Sequence, residues 1–152
     1  MVKTLIYISI LVLFIEICVR DKKQRVILNK SNVSLLFLGL ILGVLENNLL
    51  ERVLGAAAYT LPFILIYGYG SDILGMECIG MGDIKLMISL GTILKFENFY
   101  KVLLFINISF ILPLLFLIVK YLLVKRIDRE IAFGPFLIGA CILTLILESY
   151  ER

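Results

Sequence analysis

Runs of apolar residues long enough to cross a lipid bilayer dominate this chain, and they restrict its possible folds more than any other feature. About 20 helical residues cover the ~30 Å of hydrocarbon in a typical bilayer. Charged punctuation divides the sequence into six such segments, over 2–19, 33–46, 49–70, 79–94, 102–124 and 131–147. The second and fourth are short, so they need flanking residues, a locally thin bilayer or cover from neighbouring helices. Composition agrees: 61% of residues are hydrophobic, 18% are charged and the mean hydropathy is +1.05. A soluble domain runs near half apolar with about a quarter of its residues charged. No alternation of polar and apolar residues persists, which argues against a transmembrane barrel. The expectation is an all-α membrane protein: a polytopic bundle of about six transmembrane helices, forming a single domain over 1–152.

The first run, Val2 to Val19, lacks both a strongly basic start and a small-residue cleavage site, so it reads as a retained span and not as a secretory signal. Orientation follows from the loop cations. Arg20, Lys22, Lys23, Arg25 and Lys30 follow the first span, and Lys125, Arg126 and Arg129 follow the fifth. The opposite loops carry only Arg52, Lys95 and Lys101. Because cytoplasmic loops are enriched in Lys and Arg, both termini are expected outside.

Several chemistries are excluded at once. The chain has no histidine, which removes Ser-His and Cys-His nucleophiles and the HExxH zinc proteases. Its three cysteines, Cys18, Cys78 and Cys141, are scattered without a CxxC pair, so neither a zinc site nor a disulfide framework is suggested. Hydrolysis by this chain would rest on carboxylates or on something unusual.

Two aspartates fall at the cytoplasmic ends of spans: Asp21 closes the first and Asp83 opens the fourth. Asp83 lies in Gly80-Met81-Gly82-Asp83-Ile84-Lys85-Leu86. Helix from Asp83 to Leu94 is only about 16–18 Å long at ~1.5 Å per residue, so the span must begin earlier and the carboxylate lies below the interface. Ionisable groups at that depth are a functional hypothesis by default. Gly80 and Gly82 allow unusual backbone conformations and close approach of another chain. On pattern alone, Asp83 reads equally well as the N-cap of a helix, and Asp21 as a juxtamembrane acid paired with Arg20 or Arg25. Together they gain meaning, since neighbouring carboxylates can share a proton and divide the roles of base and acid.

The segment Gly80 to Leu86 resembles the GxGDxKL signature of the type IV prepilin peptidase family, a group of intramembrane aspartic proteases. Asp21, followed by Arg25, Ile27 and Asn29, resembles that family's first catalytic aspartate and its Asp…Arg…Ile-Pro-Asn stretch, with Leu28 in place of the proline. Phe133-Gly134-Pro135-Phe136-Leu137 resembles a third recurrent element, and the Gly55 to Ala58 run fits the start of the third span. The resemblance implies a catalytic pair, Asp21 and Asp83, supported by Gly80, Gly82, Lys85, Asn29, Gly134 and Pro135. It implies cleavage of basic leaders from prepilins or pseudopilins at the inner membrane, with membrane lipid but no nucleic acid as partner, and with no metal or organic cofactor. It also implies a minimal form without the cytoplasmic methylation domain of larger members. Lys85 reads as a partner for a carboxylate or as a snorkelling cation, and Glu77 as a loop acid or a guide for basic leaders. Two other classes stay open: a small ion-coupled transporter or channel subunit using Asp83, and an inactive scaffold that docks pilin-like helices.

Overall fold

A computed structural model describes residues 2–75, 79–125 and 131–151. Glu77, Cys78, Arg126 and Arg129, singled out above, lie outside the described residues. The chain folds into helices α1 (Val2–Gln24), α2 (Asn29–Leu45), α3 (Leu49–Leu65), α4 (Ser71–Leu74), α5 (Met81–Leu94), α6 (Phe99–Val124) and α7 (Gly134–Glu151). Among the described residues there is no strand. α3 contains Pro62, which cannot donate to its own ladder, and continues as a π-helical turn over Ile66–Gly70. Apart from the single turn α4, each helix corresponds to one of the six expected segments. α1, Leu49–Gly70 and α6 are long and apolar enough to cross a membrane, while α2 and α7 are shorter apolar helices. The protein is an all-α membrane bundle.

Burial is inverted relative to a soluble protein. Leu114, Leu122 and Leu123 are exposed, whereas Ser31, Asn32, Thr60, Ser89, Thr92, Ser109 and Thr144 are buried. In hydrocarbon, apolar side chains face lipid and small or polar residues hold the helices together. Thr60, Ser109 and Thr144 bond to carbonyls of their own helices, at 2.6, 2.7 and 2.8 Å, which satisfies each hydroxyl where no water is available. Ser89 on α5 reaches the Asn32 side chain on α2, at 2.6 Å.

α5 packs most extensively on α3 and α2, α1 lies against α2 and α7, and α6 rests chiefly on α7. The α3–α5 seam is backbone on backbone: a Cβ at Gly91 would stand 2.6 Å from the Gly55 carbonyl oxygen and 2.8 Å from Ala56 Cα. No larger residue fits there. Arg52, which the sequence suggests is a loop cation, is buried instead, only 3% exposed. Its guanidinium donates to the Thr92 carbonyl at 2.9 Å, the Asn48 side chain at 3.0 Å and Glu46 Oε2 at 2.7 Å. It thereby caps the last turn of α5, where unpaired carbonyls concentrate negative charge.

The same end carries a second polar knot. Lys95 pairs with Glu97 at 2.5 Å and with Glu148 at 3.9 Å, and Lys101 pairs with both carboxylates. Burial alone would push Glu97 up, but hydrogen bonds from Lys101 and Lys95 hold it at about 2. A carboxyl held that low adds stability that is present above its unfolded value and is lost as pH falls towards 2. The knot ties α5, α6 and α7 together at the end of the bundle opposite the aspartates.

Candidate active site

α1 runs past its expected limit to Gln24, so Asp21 is helical and not a loop residue. It is 5% exposed. Of the cations expected beside it, Arg20 turns to Glu16 at 3.1 Å, while the backbone amide of Arg25 bonds the Asp21 main-chain carbonyl at 2.8 Å. The Asp21 carboxylate instead accepts the amide of Gly134, at the start of α7, at 2.9 Å. A Cβ at Gly134 would stand 2.7 Å from Asp21 Oδ2. The glycine of Phe133-Gly134-Pro135 is therefore what lets an amide reach this carboxylate.

Asp83 is the third residue of α5 and half-buried. The N-cap position belongs to Gly80, without a side-chain cap, and the Asp83 carboxyl turns back towards the Gly80 amide. Asp83 is thus not the N-cap residue, although it does complement the helix start electrostatically. It lines a cavity of about 200 Å³ with Ile79, Gly80, Phe110, Ile131 and Phe133. Phe110 of α6 stacks on Phe63 of α3, centroids 5.8 Å apart, and tilts against Phe133 at 6.0 Å. Phe110 and Phe133 thus form the aromatic part of the cavity lining.

Between the aspartates sits Ile27. Its side chain would meet a Cβ at Gly82 at 3.6 Å and one at Gly134 at 3.5 Å, so one residue of the α1–α2 connection abuts both glycine elements. Arg25 turns the chain with φ 54°. Leu28 then holds φ −67°, within the range a proline ring would impose. The segment keeps a proline-like bend without proline. The glycines of the Gly80–Gly82 pair do not adopt left-handed backbone; among the described residues Gly75 is the glycine with positive φ. Only the expected close approach applies to them, and at Gly82 it is an ordinary van der Waals contact.

The other predicted residues divide into two groups. Lys85 faces away from Asp83 and comes within 3.4 Å of Asn29 Oδ1; among the described residues no carboxylate pairs with it. Lys85 and Asn29 line a separate groove with Val33, Leu36 and Ile88. Pro135 lies on the far side of the bundle end, in a cleft with Lys22 and Arg25. Phe63, Phe110, Ile79 and Ile131 were not legible as site residues, because an apolar residue in a membrane span carries no signal of what it walls.

The membrane bundle thus brings two aspartates from different helices, Asp21 of α1 and Asp83 of α5, to one end. Residues 6–118 match the model of the type IV leader peptidase family, and this chain belongs to that family. The match includes both aspartates and ends before Gly134. No curated protein and no solved structure matches the chain.

Proposed function

We propose that the chain is an aspartic endopeptidase, a single domain over 1–152, that removes the short basic leader of prepilins or pseudopilins at the cytoplasmic face of the inner membrane. Asp21 and Asp83 are its catalytic pair. The reading is supported by two carboxylates at the same end of the bundle: one buried and held by a backbone amide, the other opening on a cavity lined by Phe110 and Phe133. The ionised member takes a proton from water, and the protonated member donates to the scissile carbonyl or the leaving amine. Gly80, Gly82, Gly134 and Pro135 shape the backbone around them, and Lys85 with Asn29 receives substrate on the neighbouring groove. A transporter using Asp83 alone would have no need of Asp21, and membership of a leader peptidase family also favours proteolysis.

The test is direct. A peptide with a basic leader followed by an apolar helix, incubated with the purified protein in liposomes, is expected to yield one new N-terminus at that junction by mass spectrometry. An intact peptide beside correctly inserted protein would sink the proposal. Orientation is checked separately: reporters fused near Lys30 or Lys125 are expected to read cytoplasmic, and those near Asn48 or after Arg152 external. An external signal at Lys30 would put both aspartates on the wrong side for prepilins.

A further inference from the structure

We propose that Asn32 is a substrate-binding residue, and that the groove between α2 and α5 holds an uncoiled stretch of substrate by its backbone carbonyls. The groove has a volume of about 380 Å³ and is lined by Asn29, Asn32 and Lys85 among the apolar side chains of Val33, Leu36 and Ile88. Asn32 is 5% exposed, and its Oδ1 accepts the Ser89 hydroxyl at 2.6 Å. Its amide nitrogen has no hydrogen-bond partner among the described residues. Tyr59 Oη is the described side-chain atom that is both sealed in the interior and unpaired, so Asn32 Nδ2 opens on the groove it lines. Lys85 adds further donors: the Asn29 side chain stands 3.4 Å away, and among the described residues no carboxylate pairs with it.

This groove therefore offers spare donors between apolar walls. An unwound apolar segment presents the complement, because each residue released from a helix frees a carbonyl that no water satisfies at membrane depth. The inference rests on the proteolytic reading, in which cleavage at the head of an apolar helix opens its first turn. Lys85, two residues after Asp83, stands about 200° round the same helix, so the groove and the Asp83 cavity flank the start of α5. Gly80 is exposed there, which leaves a way across for a peptide backbone.

The test couples the protein to the substrate backbone. The intact protein in liposomes is given a leader peptide and analogues in which one amide beyond the scissile bond is replaced by an ester, weakening one carbonyl acceptor. Asn32→Leu is expected to raise KM about fivefold with kcat little changed, the scale of one lost hydrogen bond. One ester position is expected to raise the wild-type KM by a similar factor and to add nothing in Asn32→Leu. Ser89→Ala removes the bond between α2 and α5 but keeps the groove-facing N–H, so the ester effect should persist. Lys85→Leu should raise KM more than Lys85→Gln, which keeps a donor and loses the charge. If no ester couples to Asn32, that side chain serves only to join the helices. Equal losses in the two Lys85 variants would mean that the groove reads an acidic side chain and not a carbonyl. Either result overturns the proposal and leaves proteolysis intact. Failure of the wild type to cleave the unmodified peptide would overturn the proteolytic reading, and this inference with it.

Discussion

Asp21→Asn and Asp83→Asn are each expected to reduce leader cleavage by about 10³-fold or more, the scale of a lost acid–base group, while leaving the protein inserted and helical. An amide keeps the size of the carboxyl and, at Asp21, its capacity to accept the Gly134 amide through oxygen. What it removes is the capacity to take up and release a proton. Because the pair acts as a unit, the double change should cost little more than either single one. The wild-type rate should also trace a bell against pH, with both limbs belonging to the pair and not to either residue. The measurement is initial cleavage rate in liposomes, with insertion followed by protease protection. Near-normal cleavage by Asp21→Asn would show that the catalytic pair is wrongly assigned.

Gly134→Ala is expected to be strongly damaging although it leaves both carboxylates intact. Its Cβ would sit 2.7 Å from Asp21 Oδ2 and 3.3 Å from Cγ, so the carboxyl must swing away and stretch its one amide bond. Displacements of about 1 Å at a reacting group can cost on the order of 100-fold. The loss is expected in kcat with KM little changed, since the cavity beside Asp83 is untouched. Gly82→Ala should keep most of its activity, because its new methyl meets Ile27 at 3.6 Å, an ordinary contact. Equal loss in both variants would contradict the geometry around Asp21.

That ranking of the two glycines shows where the sequence was legible and where it was not. Apolar runs determine the number of major helices, because the bilayer imposes a length scale on each span, while the helix ends depart from the expected limits by up to five residues. The aspartates stand out because a carboxyl in that setting is costly to keep. Gly134 and Gly82 look alike in sequence, and only their placement against Asp21 and Ile27 separates them. Arg52 misled for a related reason. Loop cations and buried cations are the same letter, and the carbonyls it caps lie 40 residues further along the chain. Leu28 shows the converse, since its backbone keeps what the missing proline would have imposed.

Arg52 has a further consequence through its grip on the end of α5. With the Thr92 carbonyl held by a buried guanidinium and Gly91 pressed against Gly55, the helix is clamped at one end, and its other end begins at Gly80 without a side-chain cap. Asp83 lies near the opposite end of the same helix, so the position of its carboxyl is referred to that clamp. Nine residues at ~1.5 Å each give an arm of about 13 Å, so a tilt of roughly 5° at the clamp moves Asp83 by about 1 Å, enough to separate productive from unproductive geometry.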